Sequence, residues 1–214
     1  MYAETVSCPV GENQCILLDE LRQLRKQVIT DPLTGLFNVR HFRNSMAQEL
    51  ERTRRTGEPV TLMMVDLDHF KSINDTWGHE SGNLVLQTVA ELLQSQTRML
   101  DVCCRYGGEE FAVILPATQL MLAKQVAERF RQALESYVID LGATELQVTA
   151  SIGLAVSDGR RGDEVSTLIT RADECLYEAK HNGRNCVVGH AQKAPDSCVT
   201  LDERDALRGL FGDD

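Results

Sequence analysis

Gly107-Gly108-Glu109-Glu110 sets two residues without side-chain bulk directly before two carboxylates. Glycine lets other groups approach the backbone closely, and neighbouring carboxylates supply hard oxygen donors. Such a pairing suits a divalent cation together with a polyphosphate. A second acidic pair, Asp66-Leu67-Asp68, ends the apolar run Val60-Thr61-Leu62-Met63-Met64-Val65. Carboxylates that converge without compensation repel, and one of them takes up a proton. A divalent cation between them removes the conflict, and magnesium prefers one or two carboxylates completed by substrate phosphate. Lys180 and Arg184 add a basic pair four residues apart. That spacing predicts one face at a helix C-terminus, where cations are also favoured by the helix dipole.

The elements that must position these groups follow from the pattern along the chain. Residues 101–106 and 111–115 read as strands, the second stopped by Pro116. The Gly-Gly between them predicts a tight hairpin whose primed turn uses positive φ. The apolar stretch 60–65 reads as a buried strand. Helices are expected over about 38–55 (stopped by Gly57), over a short stretch 70–75 closed by Gly78, and over 82–96, 119–137 and 165–181. Further strands are expected over 146–156 and 185–189. The resulting core order β-α-β-β-α-β is the split, ferredoxin-like arrangement of an α+β fold. Its crossover makes the first two strands parallel, and the third fills the lane between them. The carboxyl end of the first strand then lies beside the start of the third, which predicts Asp66 next to Glu109.

Composition bounds the partners. The chain has 214 residues, 43% of them hydrophobic, and a net charge of −10. This is enough apolar content for a real core and the wrong charge for coating nucleic acid. An acidic protein that handles phosphates needs metal ions and a few placed cations. The seven cysteines are scattered with no zinc-type spacing, which fits reduced thiols. No signal peptide is recognisable, and no apolar run reaches the about 18 residues of a membrane span. A cytoplasmic location is expected. Three segments are read: an N-terminal one over 1–29, a catalytic domain over 30–190 and a tail over 191–214. Within the first, Leu17, Leu21, Leu24 and Val28 form a seam of about two heptads on a helix over 13–28. It either packs on its own domain or forms a parallel dimer stalk.

Four separated blocks within residues 30–190 now carry a resemblance. They are Asp31-Pro32-Leu33-Thr34-Gly35-Leu36-Phe37-Asn38; Asp66-Leu67-Asp68-His69-Phe70-Lys71-Ser72-Ile73-Asn74-Asp75 with Gly78-His79 and Gly82; Gly107-Gly108-Glu109-Glu110-Phe111; and Ala172-Asp173 through Tyr177-Glu178-Ala179-Lys180 to Gly183-Arg184-Asn185. In that order they resemble the GGDEF-family diguanylate cyclases, in the GGEEF form. The resemblance implies a palm-type, nucleotide-cyclase-like sheet flanked by helices. It implies condensation of two GTP into cyclic di-GMP with release of pyrophosphate, by a homodimer in which each chain holds one GTP. It implies Mg2+ (or Mn2+) as cofactor, held by Asp66, the Leu67 carbonyl and Glu109. Glu109 is also the position associated with proton removal, with Glu110 close by. Phe70, Lys71, Lys180 and Arg184 fall where the family holds phosphates, Lys71 counting with Glu109 and Glu110 among the catalytic positions. Gly107 and Gly108 lie against the nucleotide, and Asn74 matches a guanine-reading position.

The second guanine-reading position, usually aspartate, is Asn83 here. A carboxylate can accept from both donors of the guanine edge, whereas an amide offers one acceptor oxygen. Weaker guanine discrimination is the expectation. Arg98-Met99-Leu100-Asp101, five residues before Gly107, matches the family's RxxD site for inhibition by product, with Arg129 as a second arginine. An active cyclase, a catalytically weak cyclic di-GMP receptor and a cyclase with relaxed base choice therefore stand side by side. The N-terminal helix is the expected regulatory input, setting the dimer directly or through a partner protein.

Overall fold

The computed structural model describes residues 29–142, 144–159 and 163–190. Its elements run β1 (Phe37–Asn38), α1 (Val39–Thr56), β2 (Val60–Leu67), α2 (Phe70–Gln96), β3 (Val102–Arg105), β4 (Glu110–Leu115), α3 (Leu120–Ser136), β5 (Val138–Asp140), β6 (Glu145–Gln147), β7 (Ala150–Ser157), α4 (Val165–His181) and β8 (Val187–Gly189). The main sheet has the order β1-β3-β4-β2-β7-β8, and β5-β6 forms a separate hairpin. As the split motif requires, β4 lies between β3 and β2 and is antiparallel to both. The fold is the expected α+β one, a mixed sheet with helices on both faces.

β2 is central, and all eight of its residues are buried. Its side chains alternate between two cores. Met63, Val65 and Leu67 pack with Val89, Leu93, Ala127 and Phe130 of α2 and α3. Val60, Leu62 and Met64 pack with Phe42, Met46, Leu168 and Leu176 of α1 and α4. Asp66 continues the second series, so the alternation of the strand aims it at the α4 side. Local signals set the helix ends. The Asn38 side chain caps α1 by accepting from the His41 amide at 3.0 Å. Gly57 closes it in the left-handed region, its N–H on the Thr53 carbonyl at 2.8 Å. The two helical stretches expected on either side of Gly78 are the arms of α2, bent at that residue (φ 81°, ψ 165°).

Four local expectations are corrected. Neither Gly107 nor Gly108 adopts positive φ, so the two-residue primed turn does not form. Residues 106–109 make a wider turn, in which the Tyr106 and Gly107 amides both donate to the Glu110 carbonyl at 2.8 and 3.2 Å. The register places Glu110, rather than Glu109, across from Asp66. The stretch expected as one strand over 146–156 is two, because Thr149 turns to Asp68: its carbonyl accepts from the Asp68 amide at 2.9 Å and its hydroxyl donates to the Asp68 carboxylate at 2.8 Å. Arg184 lies beyond the end of α4, so the expected helical face with Lys180 is replaced by a turn through Gly183 (φ 101°) and Arg184 (φ 64°). The helix read over 13–28 and the tail over 191–214 lie outside the described residues.

Candidate active site

The cleft is built at the end of β2. Asp66 and Glu110 occupy opposite positions of an antiparallel pair and so share a face. The next rung is a Leu67 amide donating to the Glu109 carbonyl at 3.3 Å. α4 closes the same face. Lys180 Nζ stands 2.8 Å from Asp66 Oδ2, with Lys180 one-third exposed and Asp66 nearly buried. Asp173, two helical turns before Lys180, joins the cluster: burial raises its carboxyl and Lys180 lowers it. Burial above all raises the Glu110 carboxyl above the ordinary glutamate value; the Asp66, Asp173 and Glu109 charges add to this and Lys180 opposes it.

Gly153 lets α4 come this close. A Cβ there would lie 2.2 Å from the Ala172 carbonyl oxygen and 2.4 Å from the Leu176 nitrogen. At Gly107 a Cβ would meet only a side chain, Glu110 Oε2 at 2.7 Å, so a larger residue there would displace that carboxylate rather than the backbone. The hairpin tip is held from outside the cleft. Arg105 donates to the Gly108 carbonyl from Nε and Nη2 at 3.2 and 2.9 Å, and from Nη1 to both Asp31 oxygens at 3.3 Å. Burial pushes the Asp31 carboxyl up, but two hydrogen bonds from Thr34 and the Arg105 charge outweigh it, and the group sits below its usual range.

The donor set suits a hard divalent cation. Carboxylates outnumber the lysine in the cluster, and the Glu110 carboxyl is raised by burial first and then by the Asp66 charge. Among the described residues no three His, Cys, Asp or Glu side chains converge closely enough to hold a metal by themselves. The thiols of the nearby strands are no rivals: burial lifts Cys103 to about 11 and Cys104 to about 12, so both stay protonated and inert.

Phe70 and Lys71 open α2 after a left-handed His69 (φ 58°). A helix start of this kind presents backbone N–H groups to an anion. Asn74 lies over Gly82, where a Cβ would sit 1.9 Å from its Oδ1. Asn83 follows on the second arm of α2, exposed. Away from the cleft, Arg98, Asp101 and Arg129 are brought together. The Arg98 amide donates to Asp101 Oδ2 at 2.7 Å, and Arg129 donates to the Gln96 carbonyl. Burial raises the Asp101 carboxyl, while Arg98 and Arg129 lower it. This turn borders a cavity of about 640 Å³ that Thr30, Phe37 and Gln94 also line. A larger cavity of about 760 Å³, between α1 and α4, is lined by none of the cleft carboxylates.

Sequence reasoning had assigned no role to Asp173, Asp68 or the Asp31–Arg105 pair. The first had a signal, its spacing of seven from Lys180. The pair had none, because only folding joins two residues that far apart in the chain.

The diguanylate cyclase, GGDEF domain family matches residues 28–186. The chain is 44% identical over 165 residues to the response regulator PleD of Caulobacter vibrioides, covering 76% of this chain and 36% of PleD. The chain thus spans about a third of that relative's length. Among solved structures, the diguanylate cyclase SiaD of Pseudomonas aeruginosa, in complex with its activator SiaC, superposes with a TM-score of 0.75 at 41% identity, covering 81% of this chain and 66% of that one. The coiled coil and GGDEF domain of DgcB from Caulobacter crescentus, in complex with c-di-GMP, gives a TM-score of 0.77 at 31% identity, covering 81% and 92%. A match over most of the chain, spanning the blocks that build the cleft, places this chain in the GGDEF-domain diguanylate cyclase family.

Proposed function

We propose that the chain is a diguanylate cyclase, condensing two GTP into cyclic di-GMP and two pyrophosphate as a homodimer. The observation that carries this reading is the facing of Asp66 and Glu110 across one rung, with Lys180 and Asp173 of α4 against the same face. Asp66, the Leu67 carbonyl and Glu109 would hold Mg2+ (or Mn2+), which supplies neutralisation of phosphate charge and a more acidic ribose hydroxyl. The start of α2 with Phe70 and Lys71 binds the β- and γ-phosphates, and Lys180 and Arg184 bring further positive charge. Glu109 takes the proton of the 3′-hydroxyl of the partner chain's GTP. That oxygen attacks the α-phosphorus, the bond to the β-phosphate bridge oxygen breaks, and pyrophosphate leaves. A second transfer of the same kind closes the ring. Gly107 and Gly108 let the nucleotide lie against bare backbone, and two chains supply the alignment.

The Arg98–Asp101 turn with Arg129 beside it supports a site for product, through which cyclic di-GMP inhibits. Arginine clamps phosphate or guanine in bidentate fashion, and the aspartate accepts from guanine. A regulatory partner protein acting at the N-terminal helix is part of the same reading. Asn83 favours a second reading, a cyclase of relaxed base choice, because its amide satisfies only part of the guanine edge.

One assay tests both. Purified protein with Mg2+ is given GTP, ATP or their mixture, and products are separated by chromatography. Cyclic di-GMP from GTP, lost in Asp66→Asn and Glu109→Gln, is the expected result. Asn83→Asp should sharpen the preference for GTP over ATP by about tenfold, the scale of one bidentate base contact. Absence of any cyclic dinucleotide would refute the enzymatic reading, and identical base selectivity in both chains would refute the second.

A further inference from the structure

Arg131 of α3 lies outside the cleft, yet its guanidinium is almost completely engaged, with the side chain only 12% exposed. Nε donates to both oxygens of Glu128 at 3.0 Å, Nη2 to Glu128 Oε1 at 2.7 Å, and Nη1 to Glu135 Oε2 at 2.9 Å. Nη1 also donates to Asn185 Oδ1 at 2.8 Å, while Asn185 Nδ2 donates to Glu135 Oε1 at 2.7 Å. The Asn185 amide is therefore gripped at both ends. Its backbone N–H donates to Asp68 Oδ2 at 3.0 Å, and Asp68 also receives the Thr149 and Ser151 hydroxyls at 2.8 and 2.7 Å. Asp68 is two residues beyond Asp66, so the network ties α3 to the end of β2.

The segment held in this way has unusual backbone. Arg184 and Asn185 are consecutive non-glycine residues with φ of 64° and 45°. Asparagine tolerates the left-handed region, but arginine enters it only when its surroundings enforce it. Here the Arg184 amide also donates to the Ala179 carbonyl at 3.1 Å. Without the grip on Asn185, the turn would relax and Arg184 would leave from a different direction.

We propose that Arg131 is a positioning residue for triphosphate binding: with Glu128 and Glu135 it fixes the Asn185 amide, and so the left-handed turn that presents Arg184 to the phosphates. This rests on the cyclase reading, in which Arg184 is a phosphate cation. Lysine at position 131 keeps the charge but carries its three donors on one nitrogen, whereas Glu128, Glu135 and Asn185 are reached here from three separate guanidinium nitrogens.

The test is a double-mutant cycle read by calorimetric titration with GTP and Mg2+, alongside steady-state kinetics. Arg131→Lys should weaken GTP binding and raise KM by about tenfold, with kcat within about threefold. In an Arg184→Ala background the same substitution should change binding by less than about twofold, because the cation it serves is gone. Asn185→Gly keeps the left-handed backbone accessible and leaves the Arg131 cluster in place, so it should reproduce the loss even if Arg131→Lys folds poorly. GTP affinity equal to wild type in both variants overturns the proposal, as does an undiminished loss in the Arg184→Ala background. A wild-type chain that binds no GTP overturns the cyclase reading and the proposal with it.

Discussion

Glu110 reports the electrostatic condition of the cleft. Burial first, then Asp66, with smaller additions from Asp173 and Glu109, raise its carboxyl above the ordinary value, while Lys180 pulls the other way. A carboxyl whose folded value exceeds its unfolded value binds more protons in the folded chain. Folding stability therefore falls as pH rises from the unfolded value near 4.5 through the folded one, and the cost is constant above that. Glu110→Gln removes the charge that the neighbours resist. Its Tm without divalent cation should exceed wild type at pH 7.5 by roughly 2 °C, and the gap should shrink toward pH 4. Mg2+ should narrow the gap at pH 7.5 by relieving wild type. Thermal melts over this pH range decide it: a gap that widens on acidification would mean that Glu110 is stabilised as the anion. Asp31 has the opposite sign, because Thr34 and Arg105 outweigh its burial and favour the charged form. Its contribution is present at neutral pH and fades as pH falls through its lowered value.

At the scale of elements, two glycines separate stability from function. At Gly153 an added Cβ would meet backbone of α4, the Ala172 oxygen at 2.2 Å and the Leu176 nitrogen at 2.4 Å. Gly153→Ala must lift the whole helix from β7, costing roughly 1–3 kcal/mol and moving Asp173 and Lys180 as it does so. At Gly82 the first obstacle is the Asn74 side chain, with Asn74 Oδ1 at 1.9 Å, an atom free to swing away. Alanine also gains about 0.5–1 kcal/mol in a helix. Gly82→Ala should therefore melt within about 1 kcal/mol of wild type while GTP turnover falls at least severalfold. Equal losses of stability in the two variants, read by urea unfolding, would refute this division. The same contrast explains what could be read in advance. The buried run of β2, the bend at Gly78 and the strand order follow from local pattern and chain connectivity. The turn at Gly107-Gly108 does not, because Arg105 and Asp31 shape it across a long sequence separation. A shift of one rung, Glu110 for Glu109 opposite Asp66, leaves no trace in the pattern because β2 and β4 are buried on both faces and lack the alternation that would fix the register; turn geometry sets it. Arg184 leaves the expected helical face because Gly183 ends the helix, a stop that the sequence does announce, whereas the grip of α3 on Asn185 that shapes the turn is not announced by the segment 180–185.

At the scale of the whole molecule, each chain would hold one GTP in one cleft, yet each new bond joins two. On the cyclase reading the 3′-oxygen held by one chain must reach the α-phosphorus held by another, and the catalytic unit would be larger than the folding unit. Turnover per chain should then depend on chain concentration. Well below the dimer dissociation constant, the product formation rate scales with the square of protein concentration, and above it with the first power. Dilution over about a hundredfold range, with GTP saturating, should show the change of slope. A dimer too tight to dissociate would hide it, so a second arm is needed. Wild-type chain mixed and re-equilibrated with a tenfold excess of Asp66→Asn is distributed mostly into mixed pairs, in which one of the two paired clefts has lost its cation ligand. Because ring closure needs transfer in both directions, activity per wild-type chain should drop several-fold below that of wild type alone at the same total protein. Specific activity that is flat on dilution and untouched by the excess variant would instead place both GTP molecules on a single chain.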